Sequence, residues 1–331
     1  MVDGLLEIYN LMNHDIPTTA NLDISLISDA MLLCYNRLHA AGLQFPKGLR
    51  VHADNCTSET KNQVAFKAGA FMICQGFFDV IVWSYFQTGH SHGLPDQRFS
   101  EVRHLLFQES TLQTPSDFVK VLEKVKPRQQ RELAVQRVEC MEDWNKFLEP
   151  LEITLHSHNT TSRMKQAGQH ACHYFLMVTR EKYAQFGDVG MVENFQDEPP
   201  SPKDVVLVLK SHLSSDDISQ KPFVFLPASA LQNLQGWPEY TVQLNKMSKE
   251  TEKELRKTIE KVTQPPWHMK AAAEYIEQLI RQSGCHPQCV RDSHPLEELK
   301  AKLADGESKP EPGVFKARGS NTTCQFLINI Q

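Results

Sequence analysis

Apolar residues along the chain alternate between helical and strand spacing. Leu5 to Met12 (LLEIYNLM) reads as a strand leaving an Asp3-Gly4 turn, the strongest short hairpin signal, with only Met1 and Val2 ahead of it as a partner. Ile27, Met31, Cys34 and Leu38 recur at helical spacing, with Asn21 or Asp23 as cap and Gly42 as stop, which predicts a helix over 23–41. Leu49 to Ala53 is a short strand ending at Asp54-Asn55. Thr57 and Ser58 then open a second predicted helix, in which Val64, Ala68 and Phe71 share a face until Gly76. Asp79 to Gln87 (DVIVWSYFQ) is a continuous apolar strand of the kind buried on both faces of a parallel sheet. After the turn TGHSHG, Pro95 suits the first turn of a third helix with Phe99, Val102, Leu105 and Leu106 as its stripe. Three strand-helix repeats in about a hundred residues predict an α/β layer, whose ligands gather at the carboxyl ends of the strands.

Beyond Leu112 the texture changes. A short helix is expected over DFVKVLEKV, a strand over Val135–Val138, and a short helix over Met141–Leu148 that buries Trp144 and Phe147. Strand-like runs at Tyr174–Thr179, Val205–Lys210 and Phe223–Leu226 suggest a small mixed or β-rich second domain. Helices follow at Lys249–Val262 and Trp267–Gln282, and the polar tail from Ser293 is predicted to be largely disordered. The expected division is an α/β domain over 1–110, an accessory domain over 111–240, a helical region over 241–292 and a tail over 293–331.

Composition changes this picture little. Hydrophobic residues at 40% and charged residues at 23% are ordinary for a chain that buries a core. The net charge of −5 advertises no general attraction to nucleic acid or anionic membrane, so such binding needs a local patch. No apolar run is long enough to span a membrane, and the start resembles no signal peptide, so an intracellular protein with no membrane partner is expected. The 8 cysteines are scattered, some inside apolar runs, and read as reduced. Cys285, His286, Cys289 and His294 form a loose knuckle without a second pair, a poor zinc signal.

Candidate chemistry concentrates at two strand ends. The interval from Asp54 to Asp96 is about what a helix, a strand and three turns consume, so adjacent parallel strands would bring these carboxylates together, as a hard-oxygen Mg²⁺ or Mn²⁺ site requires. The plainer alternative is that Asp54 caps the helix after it and Asp96 is an early helical Asp favoured by the dipole. His90 and His92 form an HxH after a strand, also found in zinc hydrolases, but the further ligands of such a site are missing. One imidazole beside a carboxylate or phosphate and the other packed in the turn is the simpler arrangement. Lys61 and Arg98 are placed to meet phosphate oxygens or to be solvated.

The run VHADNCTSETKNQ, followed by FQTGHSHGLPDQRFSEV, resembles the integrase-core (RNase H-like) domain of a large, uncharacterised family of transposon-derived protist proteins. The first block is carried by Asp54, Asn55, Glu59, Lys61 and Asn62, with Cys56 where the family has threonine. The second is carried by Gly89, His90, His92, Asp96, Arg98, Phe99 and Ser100, with Ser91 between the histidines. The resemblance extends more weakly to about residue 240. It implies an incomplete RNase H-like mixed sheet, Asp54 and Asp96 as two of three metal-holding acids with His90 and His92 beside them, and Asn55, Lys61 and Arg98 as nucleic-acid contacts. Mg²⁺ or Mn²⁺ is the implied cofactor, DNA the implied partner and the nucleus the implied location. The family's first acidic strand has no counterpart here, so a truncated, catalytically inactive remnant is expected, self-associating through an unpaired sheet edge at Val2, Leu6, Ile8 and Leu11. A non-catalytic nucleic-acid- or protein-binding module is the alternative, and an HxH metallohydrolase the third reading.

Overall fold

A computed structural model describes residues 6–12, 19–53, 62–85, 94–109, 112–125, 132–138, 140–151, 173–194, 199–210, 221–234, 236–241, 247–264, 269–282, 293–305 and 323–328. The strands are β1 (Leu6–Met12), β2 (Gly48–Ala53), β3 (Val80–Tyr85), β4 (Glu132–Val138), β5 (Met141–Glu142), β6 (Tyr174–Thr179), β7 (Val205–Lys210), β8 (Phe223–Leu226), β9 (Tyr240–Thr241) and β10 (Thr323–Ile328). The helices are α1 (Ala20–Ala40), α2 (Gln63–Cys74), α3 (Leu94–Gln108), α4 (Pro115–Leu122), α5 (Trp144–Leu148), α6 (Arg180–Tyr183), α7 (Lys249–Thr263), α8 (Lys270–Gln282) and α9 (Pro295–Asp305). No helix among the described residues is long and apolar enough to cross a membrane.

The architecture is mixed α/β. A 6-stranded open sheet has the order β10-β2-β3-β6-β7-β8; β10, β2 and β3 run parallel, and β6, β7 and β8 add antiparallel. On one face, Leu49, Val51, Ile81, Trp83, Phe175, Met177 and Leu207 are buried with Ile24, Ile27 and Met31 of α1 and Phe66 and Phe71 of α2. On the other, Val178, Val206, Val208 and Val224 pack with Tyr183 and Val192.

Local chemistry fixes the two long helices. In α1, Ile24, Ile27, Met31, Tyr35 and Leu38 repeat at three- and four-residue intervals and are all buried, as the sequence periodicity predicts. Both α1 and α2 stop in the same way. Gly42 and Gly76 adopt φ of 68° and 79°, and the residues after them donate back, Leu43 N–H to Leu38 O and Phe77 N–H to Met72 O. This closure needs a left-handed residue, which glycine supplies without a Cβ penalty.

Four features depart from the expectations above. Among the described residues β1 pairs in parallel with β4, Leu6 opposite Glu132 and Met12 opposite Val138. The partner comes from downstream, a pairing that local turn signals cannot reveal. The strands expected to form a small domain of their own, β6 to β8, instead continue the sheet begun by β2 and β3. The tail expected to be disordered contains α9, whose Leu296 and Leu299 are both 0% exposed, and β10, which covers the outer edge of β2. Finally, Cys74 is a free thiol as expected, but Cys140 is disulfide-bonded. Burial, with Asp204 adding to it, pushes the Cys74 thiol up to about 12, so it is inert at neutral pH.

Candidate functional site

The sheet brings the two sequence blocks to one end. β2 and β3 are parallel neighbours with Ala53 opposite Tyr85, so the segments that begin at residues 54 and 86 leave the sheet side by side. α2 returns the chain between them, and α3 follows the second segment, with Asp96 and Arg98 in its first two turns. Asp54, Asn55, Lys61, His90 and His92 lie outside the described residues.

The structure decides one of the alternatives posed by the sequence. The second helix begins at Gln63, later than Thr57 and Ser58 would have it, and its cap is Asn62, whose side chain accepts the Ala65 N–H at 3.0 Å. Asp54 is thus not the residue that caps α2. The capping hydrogen bond, worth about 1 kcal/mol, is supplied by an asparagine at the other end of the connecting segment.

A buried carboxylate at this end was missed as a site residue. Because α1 runs back to the start of β2, its first turn lies at the carboxyl ends of β2 and β3. Asp23, in that turn, is 1% exposed. Burial raises the Tyr85 phenol well above its ordinary range, and the charge of Asp23 raises it further, which places Asp23 beside the last residue of β3. The amino ends of α1 and α2 turn their positive dipole ends the same way, a field that suits carboxylates and phosphates. The sequence offered Asp23 only as a cap, since nothing in one strand-helix repeat shows which side chain of the first turn faces the sheet.

Among the described residues, no group of three His, Cys, Asp or Glu side chains is placed to hold a metal ion. His294 of the cysteine-histidine run is enclosed elsewhere, between Trp144 and Trp237 against Glu142, while Cys285, His286 and Cys289 lie outside the described residues. A shallow cleft between α3 and α4, lined by Ser100, His104 and Lys124 among others, opens further along α3 than Asp96.

The fold is that of an α/β protein with an open mixed sheet, and among the described residues one buried carboxylate, Asp23, lies near the carboxyl end of β3. The chain belongs to the family described as Domain of unknown function (DUF7869), whose model matches residues 4–183, more than half of its length. The match takes in β1 to β6 and α1 to α6, and ends before β7, β8, α9 and β10. Neither a curated protein nor a solved structure matches the chain.

Proposed function

We propose that the chain derives from an integrase-core, RNase H-like strand-transfer enzyme, that its partner is DNA, and that residues 1–331 alone are catalytically inactive. The observation that supports this most directly is the parallel pairing of β2 with β3. It lets the Asp54 and Asp96 segments depart from the same end of one sheet, as two-metal phosphoryl chemistry requires. In this reading Asp54 and Asp96 are the carboxylates toward a Mg²⁺ or Mn²⁺ ion, His90 and His92 orient a carboxylate or a phosphate, and Asn55, Lys61 and Arg98 meet the nucleic-acid backbone. A bound Mg²⁺ would supply Lewis-acid activation of a phosphodiester. Two such carboxylates provide too few fixed oxygens for a metal pair. Asp23 adds a buried acid at the same end of the sheet.

The test is a plasmid-nicking and strand-transfer assay with Mg²⁺ and Mn²⁺, run on wild type, Asp54→Asn and Asp23→Asn. No metal-dependent cleavage is expected from any of the three. Cleavage by wild type that Asp54→Asn abolishes would overturn the inactive reading, and its loss in Asp23→Asn as well would make Asp23 the third acid.

A further inference from the structure

Across four adjacent strands, His52, Ser84, Tyr174 and Lys210 stand in one row: the register pairs His52 with Ser84, Ser84 with Tyr174, and Tyr174 with Lys210. Directly paired residues project to the same face. The neighbouring row, Val51, Trp83, Phe175 and Leu209, is buried in the core under α1 and α2, so the polar row lies on the opposite face. That face is valine-rich towards α6, where Val178, Val206 and Val208 pack with Tyr183. Across β3, β6 and β7 it turns polar at the end of the sheet where β2 and β3 finish. Arg50, one step back along β2, joins this patch. None of the four residues of the row is a carboxylate.

Arg50 is the informative member. It is partly buried, its Nε is shut off from solvent, and that nitrogen meets no hydrogen-bond partner among the described residues. No carboxylate among them pairs with it either. A guanidinium N–H withdrawn from water without a partner is costly to fold. Its fork geometry matches a phosphate in two parallel hydrogen bonds. Its charge reaches its neighbours: it lowers the Tyr174 phenol against the upward push of burial, and it adds to the burial that lowers His52. The His52 ring is fixed by Ser84, with Nδ1 at 2.8 Å from the hydroxyl, and the hydroxyl donates to Val51 O at 3.2 Å. Lys210 supplies a second cation three strand spacings from β2, on the order of 14 Å away. An aromatic ring between two cations at that separation is the arrangement by which sheet surfaces stack a base while holding the phosphates on either side of it.

We propose that this row is a binding site for single-stranded nucleic acid, with one phosphate on the Arg50 guanidinium, another towards Lys210 and a base against the Tyr174 ring. The site needs no metal and none of the Asp54 or Asp96 chemistry, so it stands or falls apart from the reading above. It also explains how a chain of net charge −5 engages a polyanion, through a local patch on one sheet face.

Fluorescence anisotropy of a labelled oligothymidylate with the full chain tests it, using wild type, Arg50→Gln, Arg50→Lys, Tyr174→Leu and, as a distant control, Lys257→Gln on α7. Wild type should bind with an affinity that falls as salt rises. Arg50→Gln should weaken binding about ten-fold or more and make the salt dependence shallower by about one ion, while Arg50→Lys retains part of the affinity. Tyr174→Leu should weaken binding with the salt dependence unchanged, and Lys257→Gln should match wild type. Because the Arg50 Nε meets no partner among the described residues, Arg50→Gln should melt no lower than wild type. The proposal is overturned if wild type does not bind, if Arg50→Gln binds as wild type does, or if it melts well below wild type, which would make the guanidinium structural. Equal binding of duplex, or complete displacement by millimolar inorganic phosphate at constant ionic strength, would also overturn it, the latter by showing a free-phosphate site.

Discussion

His294 Nε2 lies 3.1 Å from Glu142 Oε1, and both side chains are buried, 5% and 1% exposed. The contact joins a residue near the middle of the sequence to one near its end. Leu296 N–H donates to His294 Nδ1 at 3.1 Å, so the ring carries its proton on Nε2, facing the carboxylate, though off the line of a hydrogen bond. The Trp144 indole N–H donates to the other carboxylate oxygen at 2.6 Å, and Glu142 N–H donates to Ser25 Oγ at 2.8 Å. Trp237 stacks on the imidazole at 5.4 Å. Through this arrangement the C-terminal helix α9 is fastened to β5 and α1.

Removing one member of such a pair leaves the other buried without compensation. His294→Ala is therefore expected to cost about 3 kcal/mol in urea denaturation. In that background Glu142→Gln should restore about 1–2 kcal/mol, because the stranded charge is gone. Additive losses in the double variant would show that the two side chains act independently and that His294 matters only by filling space.

The same pair sets a pH dependence. Burial raises the Glu142 carboxyl above its ordinary value, with His294 and Trp144 pulling it back only in part. Between the ordinary value and the raised one, the folded chain holds a proton at Glu142 that the unfolded chain has released. Wild-type stability, measured relative to Glu142→Gln, should thus be greatest below the ordinary carboxyl range, fall as pH rises through the window, and level off above the raised value. A relative stability that climbs with pH over this window would reverse the sign and place the charged carboxylate in a favourable site.

α9 lies beyond the residues matched by the family model, yet it packs as core. Leu296 and Leu299 are fully buried, Leu303 packs against the same cluster, and the Tyr35 hydroxyl donates to Lys302 O at 2.9 Å. Leu299→Ala should cost about 2–5 kcal/mol. Protease cleavage should then appear first near residues 293–305, since a helix that loses one of its two fully buried leucines opens before the sheet does. A loss below about 1 kcal/mol would show that α9 is loosely docked.

What could be read in advance follows from the range of the interactions. The periodicities of α1, β3, β7 and β8 are local, and those elements stand close to where the pattern puts them. The capping box of α4, Thr114 with Asp117, is equally local. The partners of β1 and β6 were not legible, because parallel pairing to β4 and antiparallel pairing to β3 join segments about a hundred residues apart with no turn between them to announce the register. The same holds for the site residues. His52, Ser84, Tyr174 and Lys210 form a row only once four strands are aligned, and Arg50 looks like an ordinary alternating strand residue until its neighbours are known. Leu296 and Leu299 were hidden by the polar residues around them, although their three-residue spacing is that of one helix face.

Gly69, in the middle of α2, faces Trp83 and Met177 of the sheet. A Cβ built there would lie 3.0 Å from Trp83 Nε1 and 3.3 Å from Met177 Sδ. Two effects oppose each other in Gly69→Ala. Helix propensity favours alanine over glycine by about 1 kcal/mol in a helix interior. Overpacking a filled core costs typically about 1–3 kcal/mol, and relief is hard here because Trp83 is itself wedged edge-on against Phe66 and both rings are buried. The indole N–H has no hydrogen-bond partner among the described residues, so no bond holds the ring in place; sterics alone decide how far it yields. Overpacking should win, with Gly69→Ala melting below wild type by an amount corresponding to about 1 kcal/mol. Gly69→Ser should fall further, since its hydroxyl adds bulk at the same contact. Trp83→Phe, which removes the crowding nitrogen, should make Gly69→Ala neutral or stabilising in the double variant. If Gly69→Ala alone melts higher than wild type, α2 is free to move away from the sheet, and close helix-sheet packing is not the reason for a glycine at this position.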